Sequence, residues 1–263
     1  FCGIFGVYGH ADAAHLTGLG LNALQHRGEE SCGIAVGDGK SIEVYKGLGQ
    51  VSDVFDRPEI FDQLEGHLAI GHNRYSTTGG DSATNVQPFV AECRGHIAVA
   101  HNGNLINTTS LREEMQEGGA IFQTSTDSEV ILHLIAKSQS ASIGHRVMDA
   151  LSKLKGAYSL VMSTERHLIA ARDPHGFRPL CLGQLGDAWI IASESCALDI
   201  INARYIRDID PGELVIIDEN GLRTCFQEGP AEKPAHCIFE FVYFSRPDSM
   251  IFGDNVDKTR RKF

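Results

Sequence analysis

Cys2, followed by Gly3 and the apolar pair Ile4 and Phe5, puts a thiol one residue from the start of the sequence. A cysteine attacks a carbonyl carbon as its thiolate and needs a base to reach that form. No local motif brings a histidine beside it. A cysteine that is itself the first residue carries its own base, because its α-amino group lies next to the sulfur and titrates at about 7.7–8.0. Such an amine can take the thiol proton and later return it to a leaving amine. From these residues alone a second reading stays open, since cysteine also packs as a small buried strand residue. His72 and His101 close two similar apolar runs, "AIGHNRY" and "AVAHNGN". Two histidines invite a metal reading, but no carboxylate or thiol stands at a ligand spacing, so a structural role at strand ends is expected. Arg172, Asp173 and Arg178 in "RDPHGFRP" are phosphate-binding residue types. The proline and glycine around them suit an architectural turn instead, and no catalytic work is expected there.

The elements that must position these residues are mostly short strands. "CGIFGVYG", "HLAIGHNRY", "HIAVAHNGN", "AYSLVMS", "HLIAARD", "AWIIASE" and "ELVIID" are apolar or alternating and are bounded by Gly, Asp, Asn or Pro. "TDSEVILHLIAKS" predicts a helix with Thr126 and Glu129 as a capping box and Ile131, Leu134 and Ile135 on one face. "AAHLTGLGLNALQH" and "GHRVMDALSKL" predict two more. Strand groups separated by helices suggest two packed sheets covered by helices, an α+β class.

The net charge is −11 over 263 residues, and an acidic surface argues against a nucleic acid partner. No apolar stretch approaches a membrane span and no secretory signal is visible, so no membrane partner is expected. Seven cysteines at irregular spacings, without a CxxC pair, predict reduced thiols in the cytoplasm rather than a disulfide framework.

"CGIFGVYG", "LQHRGEESCGI", "GHNRYSTTGG", "AHNGNLIN", "TSTDSEV", "LKGAYSLV", "RDPHGFRPL", "ASESCALD" and "PGELVIID" occur in that order. Together they resemble the class II glutamine amidotransferases, whose nucleophile is an N-terminal cysteine. The resemblance runs from Cys2 to the end of the sequence. "CIFEFVYFSRPDS", with "NVDKTRRK" behind it, resembles the branch that acts on phosphoribosyl pyrophosphate in purine synthesis. Glutaminase domains coupled to another acceptor, as in glucosamine-6-phosphate synthase, and a silent glutamine-binding domain are the alternatives.

This resemblance implies a four-layer αββα sandwich of two antiparallel sheets, the fold of the N-terminal-nucleophile hydrolases. It implies that Cys2 attacks the side-chain amide of glutamine and that Asn102 and Gly103 hold the oxyanion, although Asn-Gly is also a common turn pair. Arg74 would grip the glutamine α-carboxylate and Asp127 would receive its ammonium. Arg27, Tyr75 and Thr77 would complete the substrate site, with "RYSTTGG" as a flap closing over it. In some members the cysteine matching Cys237 is one of four iron–sulfur ligands. No cofactor is expected in this chain, while an iron–sulfur cluster and magnesium are implied for a full-length enzyme. Residues 1–240 would form the glutaminase domain, and 241–263 would begin the connection to a phosphoribosyltransferase domain. That domain would supply phosphoribosyl pyrophosphate as the second partner, in a homo-oligomer.

Phe1 departs from the family pattern. A peptide bond from Phe1 would turn the Cys2 amine into a non-basic amide nitrogen, so glutaminase activity is expected only once Phe1 is removed.

Overall fold

The computed structural model describes residues 2–75, 83–227 and 233–263. Seven strands form the first sheet: β1 (Gly3–Tyr8), β2 (Ser31–Gly37), β3 (Ile42–Leu48), β4 (Leu68–Arg74), β9 (Cys181–Leu185), β10 (Ala188–Ala192) and β11 (Arg204–Asp208). Six form the second: β5 (Phe89–Glu92), β6 (His96–Leu105), β7 (Gly156–Thr164), β8 (Leu168–Arg172), β12 (Glu213–Asp218) and β13 (Gly221–Phe226). Their spatial orders are β11-β9-β10-β1-β4-β2-β3 and β13-β12-β8-β7-β6-β5. Every pairing in both sheets is antiparallel.

Strand alternation sorts the apolar residues into three layers. Ile4, Leu68, Ile70, Ala98, Ala100, Val161 and Val215 fill the space between the sheets. Phe5, Val7, Ile34 and Ala69 point the other way, against α1 (Ala13–Ala23), α2 (Val51–Val54), α3 (Pro58–Asp62) and α7 (Cys196–Asp199). Val99, Leu160, Met162 and Leu214 meet α4 (Thr108–Glu117), α5 (Ser128–Lys137) and α6 (Ile143–Leu151) on the far side. The result is the four-layer αββα sandwich.

Helix α1 lies close on β1 because Gly20 leaves room for a ring: a Cβ there would sit 2.6 Å from the Phe5 ring atoms. Helix α5 follows its apolar face, with Val130, Ile131, Leu134 and Ile135 buried. Its start differs from the expected capping box. Asp127 is the N-cap residue and makes no side-chain cap bond. The Glu129 carboxylate instead accepts the backbone N–H groups of Gln123 and Thr124, both at 2.7 Å, and so ties down the preceding turn.

The sequence places the expected domain boundary at residue 240. Residues beyond it pack on the body of the domain: Val256 and Ile251 are buried, and the Met250 N–H donates to Ser195 Oγ at 2.8 Å. The Ser249 hydroxyl also donates to Glu194 at 2.7 Å, so the segment is tied to the turn that opens α7. The stretch ends in α8 (Val256–Arg260), whose Asn255 cap accepts the Lys258 N–H. Among the described residues, no helix is long and apolar enough to cross a membrane.

Candidate active site

The ends of three strands converge at one mouth of the inter-sheet layer. In the β1–β4 pairing Gly3 lies opposite Asn73, so Cys2 falls next to the end of β4 at Arg74. Alternation gives Cys2 the face of Ile4, Arg74 the face of Ile70 and His72, and Asn102 the face of Ala98 and Ala100. All three residues therefore sit on the walls between the two sheets.

The Cys2 nitrogen donates to Asn102 Oδ1 at 3.1 Å. The half-buried thiol faces the Tyr75 carbonyl at 3.9 Å. Asn102 is fully buried, and its Nδ2 has no hydrogen-bond partner among the described residues. An unpaired buried amide donor is costly, and it is a ready site for developing negative charge. Gly103 follows it in β6 at a point with no room for a side chain. A Cβ there would stand 2.0 Å from the Ala157 carbonyl oxygen and 2.7 Å from His101 Nε2.

Asp127, free of capping duty, accepts the Leu105 N–H on Oδ2 at 2.9 Å and the Ser128 hydroxyl on Oδ1 at 3.2 Å. Strand β6 thus carries both Asn102 and the anchor of Asp127. Ser128 Oγ also bonds His101 Nδ1 at 2.9 Å and accepts from Gln87 Nε2 at 3.2 Å, which links Asp127 to the back of the strand. Arg74 is buried, and Gly28 lets its backbone come close: a Cβ on Gly28 would lie 2.5 Å from the Arg74 carbonyl carbon.

Arg27 is expected from the sequence to contact or order the glutamine site. It is fully buried behind Cys2, and its Nε donates to the Cys2 carbonyl at 3.0 Å. The rest of its guanidinium is taken by Glu194 and Glu240. Burial alone would lower the Arg27 pKa, but the charges of Glu240 and Glu194 outweigh it and hold the group above its ordinary value. Burial likewise pushes Glu194 up, and Arg27 and His26 reverse this, bringing it down to about 2. Glu194 and Glu240 lay inside quoted motifs without being singled out. The available signal was Glu240 itself, a lone carboxylate in the aromatic run "FEFVYF", since a charge among apolar residues needs a partner if buried.

Tyr75 contributes its carbonyl to Cys2 while its side chain is exposed. Thr77 and the Ser76–Gly80 part of the expected flap lie outside the described residues, as does Phe1. His72 and His101 hold the sheets together: His72 Nε2 donates to the His101 carbonyl at 3.1 Å across the inter-sheet gap. Burial keeps the His72 ring far below its ordinary pKa, at about 3, and lowers His101 as well. In "RDPHGFRP" the three Arg172 nitrogens donate to the carbonyls of Arg178, Ile209 and Gly176, each at 2.7 Å, which makes the segment a turn scaffold. Cys237 donates its N–H to the Phe177 carbonyl, and no group of three or more metal-ligating side chains forms among the described residues. Cys237 alone supplies one of the four ligands that an iron–sulfur cluster needs.

The other buried thiols contrast with Cys2 in setting: burial pushes Cys32 and Cys196 up to about 12, which leaves them protonated and inert. A cavity of about 1270 Å³ lies against α5, α6 and β13, and none of the residues around Cys2 lines it.

Residues 72–199 match the glutamine amidotransferase domain family, a span holding Arg74, Asn102, Gly103 and Asp127. The chain is 50% identical over 265 residues to amidophosphoribosyltransferase 2, chloroplastic, of Arabidopsis thaliana, covering 100% of this chain and 47% of that protein. It superposes on the glutamine phosphoribosylpyrophosphate amidotransferase of B. subtilis complexed with ADP and GMP with a TM-score of 0.92 at 42% identity, covering 99% of this chain and 56% of that one. A structure titled as the allosteric regulatory enzyme of purine biosynthesis gives 0.93 at 43% identity, covering 99% and 56%. The chain thus spans about half the length of the relatives it matches. With its strand-end cysteine and its sandwich of two antiparallel sheets, the chain carries a glutamine amidotransferase domain, matched over residues 72–199, and is similar along its whole length to these amidophosphoribosyltransferases.

Proposed function

We propose that this chain hydrolyses the side-chain amide of glutamine and supplies the ammonia to a phosphoribosyltransferase partner domain. The observation that carries the reading is Asn102, which holds the Cys2 nitrogen through Oδ1 while its buried Nδ2 stays unpaired. Cys2 Sγ attacks the amide carbon, and the α-amine of Cys2 takes the thiol proton and delivers it to the departing ammonia. Asn102 Nδ2 and the Gly103 N–H hold the oxyanion. Water then cleaves the glutamyl thioester and releases glutamate. Arg74 grips the α-carboxylate with its planar fork, and Asp127 receives the ammonium.

The ammonia displaces pyrophosphate from phosphoribosyl pyrophosphate to give phosphoribosylamine, the step of purine synthesis to which the relatives' names and titles point. Those relatives favour this acceptor over the sugar phosphate of glucosamine-6-phosphate synthase. The glutaminase unit extends to at least Val256, and a homo-oligomer is the expected form of the full-length enzyme. In a full-length enzyme Cys237 would be one of four iron–sulfur ligands, with the other three and any magnesium site supplied by the following domain. Seven unpaired cysteines suit a reducing compartment such as the cytoplasm.

The test is glutamine hydrolysis by protein with and without Phe1, each verified by intact mass. Protein starting at Cys2 should turn over glutamine at least about a hundredfold faster, because only it has the general base. Equal rates, or turnover that survives alkylation of Cys2, would overturn the reading.

A further inference from the structure

The nucleophile stands outside the strand ladder, which begins at Gly3. Among the described residues, two polar contacts hold its backbone: Asn102 Oδ1 on its nitrogen and Arg27 Nε on its carbonyl oxygen. The second contact depends on how the Arg27 plane is set. Glu240 accepts from both ends of the guanidinium, Nη1 to Oε2 and Nη2 to Oε1, each at 3.0 Å. A two-point grip on a planar group fixes its plane and so the direction of the remaining Nε–H. Glu240 is fixed in turn by Ser245 Oγ at 3.1 Å and Arg178 Nη1 at 3.3 Å, and it is fully buried. It comes from the segment after residue 233, far from Cys2 in sequence.

We propose that Glu240 is a positioning residue for the nucleophile: through Arg27 it aims the Cys2 carbonyl, and with it the nitrogen and sulfur that perform the attack. The proposal rests on the glutaminase reading of Cys2. Glu194 does not duplicate this role. It pairs with Arg27 Nη1 and His26, but it also accepts the Arg246 N–H and the Ser249 hydroxyl. It therefore keeps a countercharge beside Arg27 when Glu240 is neutralised, which favours folding of the substituted protein.

The test uses Glu240→Gln and the milder Ser245→Ala in the chain starting at Cys2, with intact sites counted by stoichiometric labelling with a glutamine-analogue electrophile. In E240Q, kcat per labelled site should fall about tenfold with KM within about twofold, and in S245A about two- to threefold. A purely structural carboxylate would reduce the number of sites and leave the rate per site unchanged. That outcome, or a loss confined to KM, overturns the proposal. Iodoacetamide alkylation of Cys2 is read in parallel, since it needs no glutamine chemistry. It should slow about threefold or more in E240Q, because the α-amine activates the thiol only when correctly placed, and an unchanged rate also counts against the proposal. An unsubstituted chain that alkylates readily but leaves glutamine intact refutes the glutaminase reading instead.

Discussion

At the scale of single residues the site divides its work between two kinds of contact. In the proposed mechanism Asn102 meets the reacting atoms, while Arg27 and Glu240 stand one and two contacts from the Cys2 backbone. Replacing Asn102 by Ala removes both the acceptor for the Cys2 nitrogen and the unpaired Nδ2 donor. We expect kcat for glutamine hydrolysis to drop by about 10²–10³ with KM little changed, as for loss of an oxyanion donor. Steady-state kinetics on labelled sites checks this, and a change confined to KM would place Asn102 on the substrate rather than on the transition state. Cys2, Asn102, Gly103, Arg74 and Asp127 enter the sequence reading through the family resemblance, which names the residues but not the contacts they make. The place of Arg27 was not legible in it. Its motif "HRGEE" announces an arginine but not its partners, which lie 167 and 213 residues away.

At the scale of elements, close backbone approach decides what the site tolerates. Gly28 follows a 3₁₀ turn over Gln25–Arg27 and presses on the end of β4. A methyl group there meets backbone, which cannot swing aside. Gly28→Ala should therefore cost about 1–3 kcal/mol of stability and raise the KM for glutamine by displacing Arg74. Urea unfolding and kinetics on the same protein test both halves, and wild-type values in each would refute the packing argument. Legibility at this scale followed the visibility of a period. Helices α5 and α6 showed apolar spacing and were readable. Helix α4 buries only Met115 among its residues, so it offered no apolar stripe. Strand β2 is buried on both faces and shows no alternation, so it was visible only as part of a family motif. The Thr126–Glu129 box was misplaced because the same S/T-x-x-E pattern serves equally well to fasten an upstream turn.

For the whole molecule, the two sheets are joined near the site by a buried neutral imidazole. Burial depresses His72 from its ordinary value to about 3, with the Arg74 charge adding to the effect. The unfolded chain takes up a proton below about 6.5 that the folded protein refuses. Stability is therefore full above that pH and falls by about 1.4 kcal/mol per pH unit as the pH drops toward the folded value. His101, also depressed by burial, steepens the slope. Glu194 does not contribute until lower pH, since its ordinary value is 4.5 and its folded value about 2. Urea midpoints between pH 7 and 5 should thus decline by about 2 kcal/mol in unfolding free energy, and a flat profile would show that His72 titrates freely.

The pairing of β1 with β4 also acts as a ruler. With Gly3 set against Asn73 and Ile4 facing the gap between the sheets, the sulfur's location is counted in whole residues. One residue inserted between Cys2 and Ile4 would turn the thiol toward helix α1, and two would restore the side but carry it about 6–7 Å beyond Asn102. The spacing between Cys2 and Ile4 therefore has no slack, and Gly3 between them has no room for a side chain, since a Cβ there would lie 2.9 Å from the Leu24 Cβ.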